Sequence, residues 1–119
     1  MAQAAGERRA HVRAQLKTSV HLHSEGALAV GFTDNISEGG LFVATDQIFP
    51  QGSLVDLQFS LPDGGSFVQA RGEVRWTWAR DRASDGRPGM GVQFTSIDDG
   101  DRARIARFVA DRRELFYED

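Results

Sequence analysis

Two clusters of chemically capable side chains stand in the first third of the chain. One is Glu7-Arg8-Arg9-Ala10-His11-Val12-Arg13, three guanidinium groups against one carboxylate. Arginine presents a planar fork of donors that matches phosphate and also stacks on flat rings. Arg9 and Arg13 are four apart and would share a face in a helical turn; a looped segment would also converge them on one anion. The other cluster is Asn35-Ile36-Ser37-Glu38-Gly39-Gly40. Asn and Ser side chains bond backbone groups one or two residues on, and glycine takes positive φ without steric cost. Such a turn turns N–H groups and short polar side chains outward, a concavity suited to an anion. The same residues also build an ordinary strand connection.

Catalytic candidates are few. There is no cysteine, hence no disulfide framework and no thiolate metal site. Ser37 has no visible His/Asp partner and lacks the Gly-x-Ser-x-Gly context, so it reads as a turn hydroxyl. His21 and His23 alternate onto one strand face, but no third metal ligand accompanies them. The carboxylates are scattered over turns and a helix. These patterns favour binding over catalysis, with no metal and no cofactor.

The remaining composition narrows the class. A chain of 119 residues allows one domain with one core. Net charge is −3, which argues against a nucleic-acid partner. Basic charge is carried by thirteen Arg and one Lys. No apolar run approaches the ~20 residues that span a bilayer, and no charged segment leads into an apolar signal region. The expectation is a soluble cytoplasmic protein without membrane insertion.

Residues 1–13 lack apolar periodicity and are expected to form a flexible arm unless a partner holds them. From Ala14 the pattern has period two. Ala14, Leu16, Thr18, Val20 and Leu22 alternate with polar residues, and Ser24-Glu25-Gly26 turns the chain into a second strand over Ala27–Ile36. Leu41–Ala44 forms a third strand, Leu54–Leu61 a fourth and Phe67–Ala79 a fifth. On the fifth, Val68, Ala70, Gly72, Val74, Trp76 and Trp78 are expected to share one face. A polar loop over 81–88 precedes a sixth strand with Met90, Val92 and Phe94. The period then changes to 3.6, predicting a helix over about 98–117 with Ile105, Phe108, Val109, Arg112 and Phe116 on one side and Asp98 as N-cap. The fold class is all-β with a C-terminal helix: a six-stranded antiparallel barrel over 14–119, covered by that helix.

The order of these pieces resembles the PilZ domain family. Arg9-Ala10-His11-Val12-Arg13 fits its Arg-x-x-x-Arg motif, and Asn35-Ile36-Ser37-Glu38-Gly39-Gly40 fits its Asp/Asn-x-Ser-x-x-Gly motif, with asparagine where aspartate is common. Gly39-Gly40-Leu41-Phe42-Val43, Gly72-Glu73-Val74-Arg75-Trp76 and Gly89-Met90-Gly91-Val92-Gln93-Phe94 look like family strands in family order. The resemblance runs from Glu7 to the C-terminal helix. It implies a barrel that binds cyclic di-GMP, with Arg9 and Arg13 on phosphate or a guanine edge, Asn35 and Ser37 on a guanine edge, and Gly40 admitting close backbone approach. Arg8 just before the motif implies two stacked ligand copies per chain. Trp76 either supplies a flat wall for a base or packs in the core, and its apolar strand neighbours favour the core.

Two functions of different class follow from the resemblance. One is a cyclic di-GMP receptor and adaptor, whose ligand orders the arm against the barrel and so creates a surface for a separate effector in motility, pilus function or exopolysaccharide synthesis. The other is a protein-interaction module that binds no nucleotide. The intact arginines favour the first.

Overall fold

The computed structural model describes residues 10–78 and 87–117. Seven strands and one helix follow in order: β1 (Ala10–Ser24), β2 (Ala27–Ile36), β3 (Gly40–Ala44), β4 (Leu54–Phe59), β5 (Val68–Trp78), β6 (Gly89–Ile97), α1 (Asp99–Arg112) and β7 (Arg113–Tyr117). The sheet order is β2-β3-β6-β5-β4-β1-β7, and a further β1–β2 pairing closes the first six strands into an antiparallel barrel. Closure leaves those six without a free edge, the usual hazard of an all-β chain.

The period-two pattern is what fills the barrel. Inward positions of β1, β4 and β5 supply Leu16, Val20, Leu22, Val55, Leu57, Phe59, Val68 and Val74, all buried. Ile36, Val43, Met90 and Val92 complete the wall from the other strands. On β2 the inward residues are the small Ala29, Gly31 and Thr33, while Leu28, Val30 and Phe32 lie outside and exposed. A Cβ on Gly31 would come within 2.5 Å of the Ala44 carbonyl oxygen, so β2 and β3 approach one another more closely there than a side chain permits.

Helix α1 covers one end of the barrel through Ile105, Phe108 and Val109, which join the same core. Its start follows local chemistry: an Asp98 carboxylate oxygen accepts from the Gly100 N–H at 3.0 Å, and the Asp98 carbonyl accepts from the Arg102 N–H at 2.8 Å. Acidic Asp99 and Asp101 in the first turn and Arg112 in the last suit the helix dipole. A side-chain clip ties the helix to the β4–β5 turn. Arg104 Nε and Nη2 each donate to Asp63 at 2.9 Å, and Nη1 donates to Asp101 at 3.0 Å.

Two boundaries differ from the sequence expectation, and they have one cause. The helix ends at Arg112, and the next five residues form β7, which pairs antiparallel with β1 from Ala10↔Tyr117 to Ala14↔Arg113. Residues 10–13, expected in a flexible arm, are therefore strand. Each segment satisfies backbone groups of the other across about a hundred residues of chain, a partnership that no local periodicity carries. Arg8 and Arg9 lie outside the described residues, as does most of the loop after Trp78.

Candidate functional site

The motif turn joins β2 to β3. The Ser37 N–H donates to the Gly40 carbonyl at 3.1 Å, its hydroxyl donates to the same carbonyl at 3.3 Å, and the Gly39 N–H donates to Ser37 Oγ at 3.3 Å. The Gly39 carbonyl accepts from the Phe94 N–H at 2.9 Å, which fastens the turn to β6. Ser37 thus spends its hydroxyl on the turn, but through long bonds that a charged ligand can displace. Asn35 is half-buried, and its carbonyl accepts from the buried Thr33 hydroxyl at 2.9 Å.

The glycines do not serve the purpose the sequence suggests. Neither Gly39 nor Gly40 adopts positive φ; among the described glycines that conformation belongs to Gly26, Gly52 and Gly64. Gly40 is required by strand packing, since a Cβ there would sit 2.2 Å from the Val92 carbonyl oxygen. Gly39 meets nothing closer than Ser37 Oγ at 4.0 Å.

Within the arginine segment, Arg13 is the arginine among the described residues, and its backbone runs beside this turn. Across β1–β2 the register is Gln15↔Asn35 and Ala14↔Ile36, so the next residue back, Arg13, stands level with the start of the turn; its backbone register partner in the β1–β7 ladder is Glu114. Sequence positions more than twenty apart thereby converge on one end of the β1–β2 ladder.

Trp76 and Trp78 are outside the barrel, 42% and 45% exposed, which corrects the expectation that they share the inner face of Val74. The cause is a β-bulge. Val74 pairs with Val92 and Trp76 with the adjacent Gly91, leaving Arg75 as an extra residue. One inserted residue flips every later side chain to the opposite face. Trp76 then lies over Gly91, where a Cβ would be 2.2 Å from the indole. Phe42, paired with Gly91 from the other side, stacks on Trp76 with centroids 5.5 Å apart, and Trp78 meets Trp76 edge-on at 4.4 Å. Next to this aromatic cluster, Gln93 pairs with Gly40, and its side-chain oxygen accepts from Arg75 Nη1 at 2.6 Å. The outer face beside the motif turn thus reads as a polar row and then an aromatic row.

Phe42, Arg75 and Gln93 escape sequence reasoning. A signal existed for the aromatic row: Gly89 and Gly91 alternate on the strand neighbouring Trp76 and Trp78, and glycines at that spacing leave room for rings laid across a sheet. His21 and His23 are exposed on β1 with Gln58 and Asp56 as register partners, and among the described residues no group of three metal-ligating side chains occurs.

Six antiparallel strands closed into a barrel, capped by a helix and bearing a polar glycine turn beside the N-terminal strand, define a small helix-capped β-barrel module. The PilZ domain model matches residues 7–111, and the chain belongs to that family. No curated protein matches the sequence. Among solved structures, the Bacillus subtilis inhibitor of motility MotI/DgrA is similar at 21% identity and a TM-score of 0.73, over 87% of this chain and 50% of that one. The PilZ domain of CeSA from a cellulose-synthesizing bacterium is similar at 20% identity and a TM-score of 0.55, over 83% and 95%. The chain therefore spans about half the length of the motility inhibitor. Among the described residues no helix is long and apolar enough to cross a membrane.

Proposed function

We propose that the chain is a cyclic di-GMP receptor that acts as a cytoplasmic adaptor rather than an enzyme. The observation that supports this reading is that the backbone of Arg13, the last residue of the arginine segment, stands level in the β1–β2 register with the Asn35–Gly40 turn, although the two lie far apart in sequence. In this reading Arg8, Arg9 and Arg13 take phosphates and guanine edges by forked, charge-assisted bonds. Asn35 and Ser37 take a guanine edge, Gly40 keeps the turn close to β6, and Trp76 offers its exposed ring as a stacking wall. The residues before Ala10 become ordered when the nucleotide bridges them to the barrel, and the rearranged arm presents a new surface to a separate effector. Structural neighbours named for motility inhibition and for cellulose synthesis suggest outputs of those kinds.

Calorimetric titration of cyclic di-GMP into the purified chain tests the reading. Arg9→Ala and Arg13→Ala should each weaken binding by about 1.5–3 kcal/mol, the scale of a hydrogen bond to a charged group. No heat from the unaltered protein at saturating nucleotide would favour the nucleotide-free interaction module instead. The three guanidinium groups can neutralise more phosphate than one ligand carries. Two nucleotides per chain are therefore expected at saturation, falling to one in Arg8→Ala; a ratio of one in the unaltered chain would refute the second copy alone.

A further inference from the structure

Along a regular strand, neighbouring side chains point to opposite faces. Arg75 and Trp76 break that rule. The bulge that makes Arg75 an extra residue leaves both side chains exposed on the outside of the barrel. Bulges next to functional sites re-aim side chains in this way. The re-aimed guanidinium has a fixed direction, since its Nη1 donates to Gln93 Oε1 at 2.6 Å. Gln93 is in turn the register partner of Gly40 on one side and of Glu73 on the other. It therefore stands one strand spacing, about 5 Å, from the last residue of the motif turn. The motif turn, the amide of Gln93 and the Arg75–Trp76 pair lie on the successive strands β3, β6 and β5.

We propose that Arg75, positioned by Gln93, is a specificity-determining residue that reads the O6/N7 edge of a guanine stacked on Trp76. The inference rests on the nucleotide reading above and adds to it a residue outside both motifs. The indole covers Gly91 with one side and meets solvent with the other, which gives a base a surface to lie on. A base stacked there turns its edge toward the neighbouring residue, Arg75. Guanine offers two acceptors on that edge, spaced to suit a guanidinium fork. Adenine offers N7 beside an amino donor, which a guanidinium cannot satisfy. The five N–H donors of arginine lie in one plane, so the bond to Gln93 orients the whole fork before a ligand arrives. Less side-chain freedom is then lost on binding.

The test compares cyclic di-GMP with its analogue in which both guanines are 7-deazaguanine, which keeps O6 and the stacking face but lacks the N7 acceptor. Calorimetry with the full chain should show the unaltered protein binding the analogue about tenfold more weakly, the scale of one base-edge contact. In Arg75→Met, which keeps an aliphatic stem but no donor, that gap should close to within about threefold, mainly through weaker binding of cyclic di-GMP. Arg75→Ala is measured beside it, with the melting temperature of each, so that a packing defect in one leaves the other informative. Gln93→Leu removes the acceptor that orients the fork and should narrow the gap part of the way. No gap in the unaltered protein, a gap unchanged in the Arg75 variants, or equal weakening of both ligands would overturn the inference and leave the nucleotide reading intact. Absence of cyclic di-GMP binding by the unaltered chain would remove that reading, and this role of Arg75 with it.

Discussion

Gly40 and Ser37 belong to one motif yet serve the molecule differently, and substitution separates them. A Cβ at Gly40 would press on the Val92 carbonyl oxygen at 2.2 Å, and a backbone atom held in the β3–β6 ladder cannot step aside as a side-chain tip would. Gly40→Ala should therefore destabilise the fold by about 1–3 kcal/mol, the cost of overpacking. Ser37→Ala removes only long hydrogen bonds at a half-exposed turn and should stay within about 1 kcal/mol of the original. Thermal denaturation distinguishes the two, and the same pair of variants then separates loss of binding through misfolding from loss through missing contacts. A comparably small change in Gly40→Ala would mean that β3 and β6 have slack there.

At the scale of elements, the bulge in β5 and the clip on α1 decide what the barrel shows to solvent. The bulge at Arg75 turns an inward alternation into an outward aromatic row, so a single extra residue converts two tryptophans from core candidates into exposed rings. The clip has a consequence for pH. The Arg104 guanidinium, and after it the Gly65 N–H, holds the Asp63 carboxyl well below the usual carboxylate range, and Asp63 in turn raises the Arg104 pKa. A carboxylate whose pKa is depressed by folding stabilises the native state above its unfolded value, near 4, and loses that contribution as pH falls toward its folded value. Below about pH 4 the unaltered protein should therefore lose melting temperature more steeply than Asp63→Asn, in which the clip no longer titrates. The partly exposed position of Asp63 keeps the difference modest. Parallel acid profiles of the two proteins would refute a role for the clip in holding α1.

For the whole molecule, the closed barrel encloses the core, and the pairing of β1 with β7 extends the sheet back to Ala10. Every inward residue of β4 is fully enclosed, whereas β7 is paired on one side, by β1. Opening free energy should therefore rise from β7 toward β4. Amide hydrogen exchange should show the segment 7–9 gaining protection when cyclic di-GMP is added, with Val55 to Phe59 unchanged. Ordering a residue costs roughly 1–2 kcal/mol of backbone entropy, so binding coupled to it should be moderate, in the micromolar range. Protection of residues 7–9 without nucleotide, or a change centred on β4, would refute the ordering mechanism.

How much of this was written in the chain itself divides along physical lines. Local alternation sufficed for the strands, because an apolar residue at every second position has only one way to bury its face; β1, β4 and the first half of β5 follow from that rule alone. The Asp98 cap and the acidic first turn placed the start of α1, and the residue types and order of the two motifs identified the family. Sequence could not place β7, because Arg113–Tyr117 carries no stop signal after the helix and finds its partners a hundred residues away in Ala10–Ala14. Nor could it place Trp76 and Trp78, because the bulge at Arg75 is a register relation between two strands rather than a property of either. The need for Gly40 also came from a neighbour, the Val92 carbonyl, and not from a backbone angle. Residue chemistry and period belong to the sequence; register, closure and the approach of one strand to the next arise only when distant segments satisfy each other's hydrogen bonds and volume.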